Sequence, residues 1–122
     1  IPVGKEIEFK MRSRDVIHSA YMPHFRAQMN CVPGMVTAFK FKPTKTTAEM
    51  RQDPYVKQMM AGINKQRAKD GKEPVEFDYI LLCNKICGAS HYNMQMTIIV
   101  ESEKDYNEWL AKQKAVKTVA SN

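Results

Sequence analysis

No apolar run in this 122-residue chain approaches the roughly 18 residues that a membrane-crossing helix needs. The longest are Tyr79–Cys83 and Ile98–Val100. No basic stretch leading into an apolar one opens the chain, so it shows no secretory leader. Three cysteines cannot all pair, and a chain of this length needs no covalent staples, which excludes a disulfide framework. Internal repeats and low-complexity linkers are also absent, so solenoids and tethered arrays are excluded. What is present is ordinary: 43% apolar and 26% charged residues, enough for one domain with one core. The chain opens on Ile1-Pro2-Val3, and we expect a mature or trimmed segment whose upstream part, any membrane anchor included, lies outside it.

The net charge of +6 is local. Between Lys40 and Lys72 nine Lys and Arg stand against Glu49, Asp53 and Asp70, and the remainder of the chain is balanced. Such a segment can steer an acidic partner, lie on anionic lipid headgroups, or simply be a solvated lysine-rich helix. Nucleic acid is not expected, because its only aromatics are Phe41 and Tyr55 and no stacking platform forms.

Glu6–Met11 alternates, with Ile7, Phe9 and Met11 on one side, and predicts a strand with one buried face. Asp15–Tyr21 is a second strand ended by Pro23, Cys31-Val32-Pro33-Gly34 a turn, and Met35–Phe41 a third strand. Asp53-Pro54 then starts a helix, with Asp as N-cap and Pro at the first helical position. Val56, Met59, Met60 and Ile63 give it an apolar stripe, and Gly71 closes it. Phe77–Cys83 and Met96–Glu101 return to strand character. Ser102, with Asp105 three residues on, caps a closing helix striped by Tyr106, Trp109, Leu110 and Val116. The sum is an all-β sandwich with a partly helical insertion at about 47–76 and a C-terminal helix, one domain over 1–122.

The chemistry lies in Cys83-Asn84-Lys85-Ile86-Cys87-Gly88-Ala89-Ser90-His91-Tyr92-Asn93-Met94, on the loop between two strands. Two thiolates, an imidazole and a thioether within twelve residues are soft ligands that favour copper over Mg²⁺, Ca²⁺ or Mn²⁺. A mononuclear blue site needs one Cys, so the second, four residues on, suits two thiolates bridging two metals. His18 lies far upstream, on a strand that a sandwich can bring to the loop. Taken singly these residues have plainer roles: a disulfide for Cys83 and Cys87, a polar strand end for His18. The disulfide leaves His91 and Met94 without a purpose. Cys31 is expected as a buried free thiol, His24 as an ordinary polar residue, and Met50, Met59 and Met60 as helix packing. Asp15 either orients a ligand by hydrogen bonding or finishes a turn.

The pattern Cys-x3-Cys-x3-His-x2-Met, with Asp15-Val16-Ile17-His18-Ser19 upstream, resembles the CuA domain of cytochrome c oxidase subunit II. Pro2-Val3-Gly4-Lys5, Met22-Pro23, Val32-Pro33-Gly34, Cys87-Gly88 and Tyr106-x-x-Trp109-Leu110 support the resemblance, which covers nearly the whole chain apart from the insertion. It implies a cupredoxin-like Greek-key sandwich and a dinuclear copper centre. Cys83 and Cys87 would bridge both coppers, His18 and Met94 would complete one, and His91 with the Lys85 backbone carbonyl the other. It further implies an electron relay from a c-type cytochrome to haem in oxidase subunit I, within an enzyme that reduces O₂ and pumps protons. The expected place is the extracytoplasmic face of an energy-transducing membrane, held by a transmembrane hairpin upstream. Lys85 stands where the family usually has a Glu that contacts Mg²⁺, so that contact is not expected here. The competing resemblance is the CuA domain of nitrous oxide reductase. From another class, a copper-delivery or thiol-redox protein would need the cysteine pair but not both His18 and Met94.

Overall fold

The computed structural model describes residues 1–114. Among these, six strands form two antiparallel sheets and three α-helices flank them. Strand β1 (Ile7–Met11) pairs with β4 (Thr37–Phe41) as one sheet. The other is ordered β3 (Ala27–Cys31), β2 (His18–Met22), β5 (Tyr79–Cys83), β6 (Gln95–Ile98).

Period-two alternation decides what each strand buries. In β1 the side chains of Ile7, Phe9 and Met11 turn inward, and in β4 those of Thr37, Phe39 and Phe41 do the same. Their aromatic rings make the cement between the sheets. Phe9 stacks on Phe41 at 5.6 Å, Phe25 reaches Phe41 at 4.6 Å, and Phe25 stacks on Tyr79 of β5 at 4.4 Å. Such pairs add to plain area burial. Beneath them Met22 and Val100 are fully buried, with Phe77, Tyr79, Ile98 and Val56 around them. Each such side chain contributes on the order of 1.5–3 kcal/mol by leaving water.

The 47–76 stretch holds α1 (Thr47–Gln52) and α2 (Pro54–Lys69). Thr46 and Glu49 form a reciprocal capping box at the start of α1, and Asp53 ends α1 while capping α2 through the Tyr55 amide. Gly71, at φ +68°, takes the left-handed position just past α2 that favours glycine. Val56 sinks into the core, and Met50, Met59 and Met60 pack against it as expected of them. The return to β5 is held by side chains. Asn64 both donates to the Val75 carbonyl and accepts from its amide, at 2.9 Å each. Arg51 donates to the Phe77 carbonyl and pairs with Glu76 and Asp78.

Several boundaries differ from the sequence expectations. The second strand begins at His18, not Asp15, because the Ser13 hydroxyl donates to the Asp15 carboxylate and the Val16 carbonyl and folds this approach into a turn. A strand that the sequence did not suggest, β3, precedes the Cys31–Gly34 turn; its polar Gln28 and Asn30 face outward and weaken the pattern. Strand β6 starts earlier, at Gln95, and ends at Ile98. Ser102 caps the closing helix α3 (Glu103–Lys112) through the Asp105 amide, but its stripe stays in solvent, with Trp109 and Leu110 half exposed. Val116 lies outside the described residues.

Candidate metal centre

The strand registers assemble the centre. Ala20 pairs with Cys83 across β2 and β5, which puts His18, two residues earlier, beyond the end of β5. The Cys83 amide donates to the Met94 carbonyl at 3.0 Å, closing the 84–93 loop at its base. Within that loop a 3₁₀ turn over His91–Asn93 is fastened by the His91 amide donating to the Gly88 carbonyl. Gly88 has φ +142°, a conformation that side chains rarely adopt, and it turns the chain between Cys87 and His91.

The six expected donors come together. Cys83 Sγ lies 3.6 Å from Cys87 Sγ, 3.2 Å from the Lys85 carbonyl oxygen and 4.0 Å from His18 Nδ1. Cys87 Sγ lies 3.4 Å from His91 Nδ1 and 3.8 Å from Met94 Sδ. Two donors each about 2.0–2.3 Å from one ion stand at most about 4.6 Å apart, so these separations suit metal ligation. The cysteines are free thiols, and His18, Cys83 and Cys87 alone could hold a metal ion. Soft sulfur with imidazole is a donor set suited to copper.

The surroundings prepare the donors. Burial pushes the Cys83 thiol up, but hydrogen bonds from the Ser19 and Lys85 backbone, His18 and Cys87 bring it down to about 6. Burial and the neighbouring Cys83 raise the Cys87 thiol. Cys83 is therefore the more acidic of the two thiols. Asp15 Oδ1 sits 2.8 Å from His18 Nε2. This contact raises the imidazole pKa and takes the Asp15 carboxyl down to about 2. With Nε2 held by Asp15, Nδ1 is the ring nitrogen that faces Cys83 and that a metal would take in place of a proton. The Asp15 carboxylate accepts from the Ser13 hydroxyl and holds the His18 ring, so its side chain serves both the turn and the orientation of the candidate ligand.

Two residues depart from expectation. Cys31 is half-buried rather than buried, and it pairs with His18 across β2 and β3 beside the centre. It lines a small apolar groove with His18, Leu81, Cys83 and Met94. Its place shows only through the β3 register, which the sequence did not reveal. His24 is not merely a polar strand end: its ring packs edge-on against Phe77 and Tyr79, and burial lowers its pKa.

Fold and loop together define a cupredoxin-like sandwich carrying a sulfur–imidazole donor cluster at one end. The alternative cytochrome c oxidase subunit 2 of Bradyrhizobium diazoefficiens is 38% identical over 114 residues, covering 93% of this chain and 30% of that protein. Cytochrome c oxidase subunit 2 of Thermostichus vulcanus is 30% identical over 118 residues, or 97% of this chain and 27% of that protein. The crystal structure of the periplasmic domain of subunit II of cytochrome oxidase from Bradyrhizobium japonicum superposes with a TM-score of 0.63. Its identity is 22%, and the match covers 91% of this chain and 59% of that one. No protein-family model matches. Over nearly all of its length the chain is similar to cytochrome c oxidase subunit II proteins, and it shares the fold of a subunit II periplasmic domain. It spans under a third of the length of these two relatives.

Proposed function

We propose that this domain is an electron relay of a haem–copper oxidase, holding a dinuclear copper centre on His18, Cys83, Lys85, Cys87, His91 and Met94. The observation that carries the proposal is the convergence of all six donors, His18 from 65 positions upstream included, within 3.2–4.0 Å of a cysteine sulfur. Cys83 and Cys87 would hold both metals, with His18 and Met94 serving one and His91 and the Lys85 carbonyl the other. When bound, such a centre stores one electron shared over two metals, with little rearrangement between oxidation states.

The chain's own residues keep the ligands still. Asp15 fixes the His18 ring, the Ser19 backbone holds the Cys83 sulfur, and the Met94 carbonyl closes the loop. No open position for a substrate is required. Electrons arrive from a c-type cytochrome and leave for haem in subunit I, where O₂ is reduced. The domain then stands on the extracytoplasmic side, held by an anchor upstream, and does not meet nucleic acid. The names of the relatives support the oxidase over nitrous oxide reductase. A copper-delivery or thiol-redox role has no use for His18 and Met94, which both stand at the pair.

Reconstitution with copper tests this. We expect a purple protein whose electron spin resonance shows one electron shared by two copper nuclei. A spectrum of isolated mononuclear copper would reject the proposal.

A further inference from the structure

We infer that the electron donor meets the metal end of the domain through an apolar patch ringed by positive charge, so that the donor's own docking face is acidic. This rests on the relay reading above and names the chemistry of its partner.

Three loops meet at that end: 12–17 before His18, 32–36 after Cys31, and 84–94 after Cys83. The Ser13–Pro33 bridge joins the first two, and Arg12 lies beside Met35 and Val36. They expose large apolar side chains around the donors. Ile86 and Tyr92 are 89% and 88% exposed, and Val16, Ile17, Met35 and Val36 about half. Clustered exposure of this kind on a folded surface marks an interaction site.

The charges of the same loops are Arg12, Arg14 and Lys85, all exposed and in no ion pair among the described residues. Their single carboxylate, Asp15, is engaged by His18. A basic docking face would meet three like charges here, while an acidic one gains in encounter rate and orientation.

The 40–72 segment that holds the overall charge excess stands elsewhere. Helix α2 packs through Val56 against Phe77 and Tyr79, at the start of β5, whereas the donors gather beyond its other end at Cys83. Four residue steps along β5 separate the two poles, roughly 13 Å along the chain. Lys57, Lys65 and Lys69 of α2 therefore do not line the route of an electron into the centre.

The test uses this chain, ¹⁵N-labelled and metal-free, with two redox-inert paramagnetic probes at low salt. Hexacyanochromate(III), an anion, should broaden amide signals of 12–17, 32–36 and 84–94 first, and salt should abolish the effect. The cation tris(ethylenediamine)chromium(III) should spare them. Arg12→Glu with Arg14→Glu should remove the broadening, while Lys65→Glu with Lys69→Glu, an equal change in net charge, should leave it. In the copper-loaded chain the first pair should slow oxidation by hexacyanoferrate(III) roughly tenfold or more, and the second pair should not. Rim signals broadened by the cation, or equal losses from both pairs, would overturn the inference. So would a dimer in sedimentation that shields the rim. The relay reading fails separately, on the spin resonance, since the probe experiment needs no copper.

Discussion

A single proton decides how His18 serves the centre. An imidazole that donates from Nε2 to a carboxylate presents Nδ1 as a lone pair, and Asp15 imposes that arrangement from three residues away. Removing the carboxylate frees the ring to rotate and to take the other tautomer. We expect Asp15→Ala to lower copper affinity by about 10- to 100-fold with the circular dichroism of the fold unchanged. Competition with a copper chelator measures this, and an unaltered affinity would reduce Asp15 to a turn residue. Lys85 shows the reverse logic: its carbonyl faces Cys83, while its side chain is exposed and belongs to the docking rim.

Among the elements, α1 and α2 depend on their ends more than on their faces. Helix α1 has only six residues, too few to hold on propensity, and the Thr46–Glu49 box satisfies amides that would otherwise lack partners. The Thr46 backbone and hydroxyl hold the Glu49 carboxyl below its usual range. Its folded pKa is thus the lower one, so this stabilisation is present at neutral pH and lost as pH falls through that value. Thr46→Ala should cost about 1 kcal/mol of unfolding free energy in urea, with the copper spectrum unchanged. A shifted spectrum would mean that the two poles are coupled.

For the molecule as a whole, the sandwich keeps stability and chemistry at opposite ends. The aromatic stack and the Met22–Val100 core lie toward α1 and α2, while the donors occupy loops beyond β2 and β5. His24 belongs to the stable end, and burial holds its imidazole below the ordinary range. A base whose folded pKa is depressed binds protons more readily when unfolded. Its contribution is therefore complete above the unfolded value and fades as pH falls through the imidazole range. In the metal-free chain His24→Phe should flatten the loss of urea resistance between about pH 7.5 and 5.5 relative to the unaltered protein. Parallel curves would show that burial of His24 does not govern this range.

Alternation in Glu6–Met11, the Asp53-Pro54 and Ser102 caps, and the ligand spacing from Cys83 to Met94 were all legible in the sequence, because each depends on neighbours a few residues away. The four candidate donors of that loop were therefore nameable before any fold was known. Strand β3 was not, since its polar residues blur the period and only pairing with β2 gives it shape. Nor could the sequence show that Asp15 holds both the turn and the His18 ring, or bring Cys31 beside His18. It concentrated the positive charge in 40–72 but could not say that α2 would lie away from the metal end. Those outcomes depend on which strands pair and in what register, a long-range choice that buries one face of each element and fixes everything else around it.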